Sequence, residues 1–214
     1  MLHLSDKGKK VSSHYLISQN GTIYALVDDK FRAWHAGKSF WNNITNINSI
    51  SIGIELDYSP FGKNNKFTYK GMMMFSLKKL LIKLQKNYKI NKSSVLGHSD
   101  IAPFRKQDPG KNFPWKSLLS SKIVLKFKKL TVTEIKIIEE WFKNCNLKLQ
   151  KHKIILALSL IGYDTREVYN NSKLYNKLIS AYRNRYVNTE DRLKNKHVYM
   201  SLITHLFNFM LTKK

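Results

Sequence analysis

The apolar residues of this chain change rhythm along its length. Residues 14–27 alternate in two short runs around Gln19-Asn20-Gly21. An Asn-Gly pair between two such runs predicts a β-hairpin, with strands over 14–18 and 22–27. From 49 to 56 a β-rich run puts Ile50, Ile52, Ile54 and Leu56 on one side and Ser51, Gly53 and Glu55 on the other. Residues 59–67, with Pro60, Gly62 and paired asparagines, read as a loop. Met73, Leu77, Leu80, Leu81 and Leu84 then recur at helical spacing and predict a helix over 69–88. A short strand is expected over 94–97, a structured loop with two prolines over 99–112, and a short helix from Pro114 to 119.

Past the basic stretch 122–129 the pattern is helical throughout. Thr131 and Glu134 have capping-box spacing, opening a helix that runs to Cys145. A second helix fits 151–161 and ends at Gly162, and further helices fit 172–186 and 190–211. The expected fold is therefore α/β, a mixed central sheet flanked by helices over 1–125, followed by a small all-α domain over 126–214.

Composition narrows the class. A chain of 214 residues, 43% of them hydrophobic, can bury a real core in one large domain or two small ones. The single cysteine, Cys145, excludes an internal disulfide framework and a Cys-rich zinc site. No apolar run approaches the ~20 residues that span a bilayer. The start, MLHLSDKGKKVSSHYL, lacks the apolar core of a signal peptide. The net charge of +24 has two readings: lysine-rich surface drift, or an anionic partner such as nucleic acid, acidic lipid or a carboxylate-bearing wall polymer. The lysines are spread along the chain and form neither one block nor an RNA-binding aromatic motif.

Two segments could carry chemistry. In Gly53-Ile54-Glu55-Leu56, a carboxylate on a greasy strand is costly unless it is paired or faces a cleft. Gly53 leaves room for a close approach to the strand. The alternative is a salt-bridged glutamate on an edge strand. The second segment, Gly97 to Gly110, gathers His98, Asp100, Arg105, Lys106 and Asp108 on a loop stiffened by Pro103 and Pro109. Imidazole and carboxylate are ordinary zinc ligands. Spacing alone equally allows a polar loop with an ion pair.

Four motifs occur in order: Ser12-Ser13-His14-Tyr15-Leu16, Ala33-Trp34-His35-Ala36-Gly37, Ser51-Ile52-Gly53-Ile54-Glu55-Leu56, and His98-Ser99-Asp100-Ile101-Ala102-Pro103 with Arg105-Lys106 and Asp108-Pro109-Gly110. Together, over residues 10–118, they resemble the type 2 N-acetylmuramoyl-L-alanine amidases, the AmiD/AmpD-like enzymes, whose fold is shared with peptidoglycan recognition proteins. The tail, with Leu160-Ile161-Gly162-Tyr163-Asp164, is more loosely similar to the small peptidoglycan-binding domain of AmiD-like members. The resemblance implies zinc-dependent hydrolysis of the amide between N-acetylmuramic acid and L-alanine in peptidoglycan or muropeptides. It matches His98 and Asp108 to two zinc ligands, Glu55 to the catalytic glutamate and Lys106 to the lysine beside the zinc water. It also places Trp34, His35 and Arg105 toward substrate, with a core hydrogen-bonding role as the alternative for His35. In that chemistry zinc acidifies water, Glu55 moves the proton to the leaving amine, and Lys106 steadies the oxyanion.

The family's third zinc ligand is a histidine on an early strand upstream of Ser-Ser-His-Tyr, and this sequence begins after that strand. The role is not carried over to His3. His14 matches a position that does not bind zinc and is expected to be structural; His152, His197 and His205 are expected to be surface or bundle residues. The catalytic domain is thus expected to be N-terminally incomplete. Either the natural start lies upstream, or the site has decayed to two ligands in a protein that binds muropeptides without cleaving them. The expected partners are peptidoglycan or muropeptides and not nucleic acid, which would explain the charge but none of the motifs. The expected compartment is the bacterial envelope, periplasm or cytoplasm.

Overall fold

The alternating residues around Asn20-Gly21 form the expected hairpin. Strand β1 (Tyr15–Ile17) pairs antiparallel with β2 (Ile23–Ala25), with Leu16 opposite Tyr24. Gly21 adopts φ +89°, and its N–H donates to the Ser18 carbonyl at 2.9 Å, which closes the turn. On the other side of β1, strand β3 (Ile54–Leu56) runs parallel, with Glu55 opposite Leu16. The sheet is mixed, in the order β2-β1-β3. This computed structural model describes residues 11–58, 69–187 and 195–212. The expected loop over 59–67, His3, and the first residues of the expected helix 190–211 lie outside them.

Two expected strands are corrected. The run 49–56 pairs only over Ile54–Leu56, because Ile47–Ser49 forms a turn of 3-10 helix instead. Side-chain bonds hold that turn: Ser51 Oγ donates to the Ile47 carbonyl at 2.6 Å, and Ser49 Oγ to Asn46 Oδ1 at 3.1 Å. Ile50 is consequently 62% exposed, whereas Ile52, Ile54 and Leu56 pack toward the core. The strand expected over 94–97 is likewise displaced by a 3-10 turn, Lys92–Ser94.

The described residues divide into two compact units. The first draws on residues 11–39, 45–58, 69–96 and 112–125. Its core forms where helix α1 (Gly71–Tyr88) buries Met73, Met74, Leu77, Leu80 and Leu84. These pack with Ile17, Phe113, Trp115, Leu118, Ile123 and Val124. Each such side chain contributes about 1.5–3 kcal/mol by leaving water.

The second unit draws on residues 40–44, 97–111, 126–187 and 195–212. Residues 99–112, read as a loop, open with a single helical turn, α2 (His98–Ile101); the short helix after Pro114 is α3 (Trp115–Ser120), in the first unit. Four helices follow in the second unit: α4 (Val132–Asn144), α5 (Gln150–Ile161), α6 (Ser172–Tyr186) and α7 (Asn195–Thr212). The Thr131/Glu134 capping box starts α4: each backbone N–H is taken by the other residue's side chain, at 2.8 and 3.2 Å. Ile138, Phe142, Leu158, Tyr163, Leu178, Tyr182, Leu202 and Leu206 are nearly solvent-free at the centre of this unit. No described helix is long and apolar enough to cross a membrane.

Candidate active site

The Gly97–Gly110 segment is built from its polar residues inward. Gly97 caps α2, and its N–H donates to Asp100 Oδ2 at 2.7 Å, so the Asp100 carboxylate folds back over the start of the turn. That turn places His98 in its first position. The Ser99 N–H donates to the Asp108 carbonyl at 2.8 Å and draws the far end of the loop against the turn. As a result His98 Nδ1 and Asp108 Oδ2 lie 3.0 Å apart. Arg105 Nη2 sits 3.3 Å from His98 Nε2. Partial burial of the Asp108 carboxyl pushes its pKa up. The hydrogen bond and charge of His98, with a smaller contribution from Lys106, outweigh this and hold it below the usual carboxylate range.

His98 and Asp108 are a chemically suitable donor pair for zinc. Neighbouring donors in a tetrahedral shell with bonds of about 2.0–2.1 Å stand roughly 3.3 Å apart, close to the 3.0 Å found. Among the described residues, no group of three or more His, Cys, Asp or Glu side chains could hold a metal ion. The described donor set therefore has two members.

Asp100 itself is only 1% exposed. Its Oδ1 accepts from the Tyr163 hydroxyl at 2.6 Å, and its Oδ2 pairs with Arg185 Nη1. Burial pushes the Tyr163 phenol well up, and the Asp100 charge adds to it. Burial works against the charge of Arg185, but Asp100 prevails and raises its pKa. Sequence reasoning grouped Asp100 with the loop and missed both partners. A buried carboxylate demands pairing, but Arg185 stands 85 positions away.

In the first unit, the Glu55 side chain lies on the opposite side of β3 from Ile54 and Leu56, on the Gly53 face, and is half-buried. The close approach that Gly53 permits comes from His35: a Cβ on Gly53 would lie 2.3 Å from His35 Cγ. The loop carrying that ring is pinned by buried Asn48, whose Oδ1 accepts from the N–H groups of His35 and Ala36 at 3.0 and 2.8 Å. Asn48 is a positioning residue that no sequence pattern marked. Trp34 is 41% exposed, with the Arg32 guanidinium 3.9 Å from its ring centroid. Both nitrogens of His14 are consumed by backbone: Nδ1 accepts from the Gly53 N–H and Nε2 donates to the Phe31 carbonyl, each at 3.0 Å. His14 is thus a structural residue. Arg105 is exposed and Lys106 half-buried, both in the second unit.

These features belong to the class of α/β amide hydrolases that the motifs pointed to. Residues 3–111 match the N-acetylmuramoyl-L-alanine amidase family, and the chain belongs to that family. The chain is 42% identical over 113 residues to the 1,6-anhydro-N-acetylmuramyl-L-alanine amidase AmpD of Haemophilus influenzae, covering 52% of this chain and 59% of that protein. It is 41% identical over 121 residues to the N-acetylmuramoyl-L-alanine amidase AmiD of Escherichia coli, covering 51% of this chain and 44% of that one. The chain thus matches about half the length of these curated relatives.

The structural likeness runs further. The complex of E. coli AmiD with anhydro-N-acetylmuramic acid-L-Ala-D-gamma-Glu-L-Lys aligns over 95% of this chain and 80% of that one, with TM-score 0.74 and 25% identity. AmpDh3 of Pseudomonas aeruginosa in complex with anhydromuramic pentapeptide aligns over 94% and 82%, with TM-score 0.71 and 26% identity.

Proposed function

We propose that this protein is a zinc-dependent N-acetylmuramoyl-L-alanine amidase acting on peptidoglycan or muropeptides. The observation that carries the reading is the convergence of His98 Nδ1 and Asp108 Oδ2, 3.0 Å apart, on the loop with the family's last motif. Anhydromuramyl peptides in the structures of two relatives support the substrate class. His98 and Asp108 would hold the metal, with a further donor from outside the described residues. Zinc held there would lower the pKa of water and polarise the scissile carbonyl. Glu55 would take a proton from the attacking water and return it to the amine of L-alanine as the carbon–nitrogen bond breaks. The Lys106 ammonium would offset the negative charge that grows on the carbonyl oxygen. Trp34, His35 and Arg105 would contact the muropeptide, Arg105 by its exposed guanidinium and Trp34 by its open ring.

A second reading is a protein that binds muropeptides without cleaving them. The two-member donor set among the described residues favours it, because zinc affinity rests on a preformed cage of several donors. The test is incubation with anhydro-N-acetylmuramic acid-L-Ala-D-gamma-Glu-L-Lys, with release of the L-alanyl peptide followed by mass spectrometry. The amidase reading expects release that a chelator stops and that Glu55→Ala cuts by at least ~100-fold. Calorimetric binding without release would establish the second reading, and neither binding nor release would overturn both.

A further inference from the structure

We infer that the helical tail is the scaffold of the His98–Asp108 loop, with Arg185 and Tyr163 acting on it as positioning residues through Asp100. The loop belongs to the same compact unit as the helices that follow residue 126.

Three ties make the case. The first is electrostatic. Asp100, Arg185 and Tyr163 are 1%, 7% and 1% exposed, and the Asp100 carboxylate takes the Arg185 guanidinium, the Tyr163 hydroxyl and the Gly97 N–H at once. Gly97 is the residue immediately before His98. The second tie is apolar: Phe104 packs against the bundle core that includes Leu178 and Tyr182. The third is a cap on the loop backbone, where Lys177 Nζ of α6 donates to the Phe104 carbonyl at 2.8 Å.

The partners are themselves fixed. Tyr163 meets Trp41 edge-on at 4.9 Å, and the Arg185 guanidinium lies 4.8 Å from the Tyr186 ring centroid. A buried ion pair is no better for stability than a well-packed apolar pair, but removing one member strands the other charge. Without Arg185, the buried Asp100 carboxylate loses the guanidinium that holds it in place and shifts toward water. That shift loosens its bond to the Gly97 N–H and with it the turn that aims His98. The Ser99 N–H bond to the Asp108 carbonyl passes the same disturbance to Asp108. Residues that orient metal ligands from behind commonly matter 10–100-fold in affinity. The anchoring stands on contacts within one unit; only its consequence for zinc and catalysis rests on the amidase reading.

The experiment is amide hydrogen exchange by NMR on the full chain and its Arg185→Met, Arg185→Lys and Tyr163→Phe variants. Gly97 and Ser99 report on the loop, and Leu202 and Leu206 in α7 report on the tail itself. Zinc affinity is measured on the same proteins by competition with a chromophoric chelator. Arg185→Met should speed exchange at Gly97 and Ser99 at least ~10-fold beyond any change at Leu202 and Leu206, and weaken zinc by about 10–100-fold. Arg185→Lys should recover part of both effects, and Tyr163→Phe should show a smaller version of the same pattern. If Gly97 and Ser99 merely track Leu202 and Leu206, or do not move, the inference is wrong. Should Arg185→Met fail to fold, Tyr163→Phe, which removes one hydroxyl, decides by the same criterion. A wild-type chain that binds no zinc would count against the amidase reading, while the exchange rates would still decide the anchoring.

Discussion

Gly53 stands where a single methyl group would collide with an imidazole, since its Cβ would fall 2.3 Å from His35 Cγ. Its backbone is equally committed: the N–H goes to His14 Nδ1, and the carbonyl accepts from the N–H groups of His14 and Tyr15 at 3.0 and 3.1 Å. The strand can therefore not retreat from an added side chain without breaking three bonds. Gly53→Ala should displace the His35 ring and destabilise the first unit by about 1–3 kcal/mol, the usual cost of overpacking. Urea unfolding checks the stability, and the ring-proton shifts of His35 check the displacement. An unchanged midpoint with an unmoved ring would show that the contact is not rigid. At this scale the sequence was only partly legible. Gly53 read as a place of close approach, but the approaching group, His35, comes from a loop 18 positions earlier. Asp100 has the same history, because its charge was visible and its partners Tyr163 and Arg185 were not.

Elements were most legible where their cause is local. The Asn-Gly turn, the apolar spacing of α1, the Thr131/Glu134 box and the Gly162 stop, at φ +125°, each act within a few residues and were read from pattern. The strand expected over 49–56 forms only over Ile54–Leu56, because alternating isoleucines cannot reveal that Asn46, Ser49 and Ser51 favour a turn through their own side chains. Packing between elements was illegible for a related reason, and His205 on α7 shows it. The surface-or-bundle expectation for His205 resolves to the bundle. Its ring centroid lies 4.1 Å from that of Phe127 and 4.7 Å from that of Tyr186, and its Nδ1 is buried without a hydrogen-bond partner. Burial first, and the Arg185 charge second, push its pKa down to about 3. The unfolded chain takes up that proton near pH 6.5, so the folded state binds fewer protons below it. The stability from keeping His205 neutral is then fully present above about pH 6.5 and lost as pH falls toward 3, by about 1.4 kcal/mol per pH unit. Between pH 6 and 4.5 the wild type should lose about 2 kcal/mol more than His205→Phe, measured as the difference of urea midpoints. Equal losses in the two proteins would show that His205 is protonated in the fold.

Over the whole molecule, two kinds of evidence reach different distances. The family match ends at residue 111, whereas the structural likeness to E. coli AmiD spans 95% of the chain and so includes the tail. The charge of +24, from 38 basic against 14 acidic residues, adds a long-range attraction to any anionic polymer. Peptidoglycan stems carry carboxylates, so this field agrees with the proposed substrate without selecting it. The proposed substrate rests instead on the family match and on the convergence of His98 and Asp108, with Glu55 proposed as the proton carrier. The most direct test measures zinc content and muropeptide cleavage on the same samples of wild type, His98→Ala, Asp108→Ala and Glu55→Ala. The account expects about one zinc per chain in wild type and Glu55→Ala, little in the other two, and cleavage in wild type alone. A His98→Ala or Asp108→Ala protein that keeps both its zinc and its turnover would contradict it.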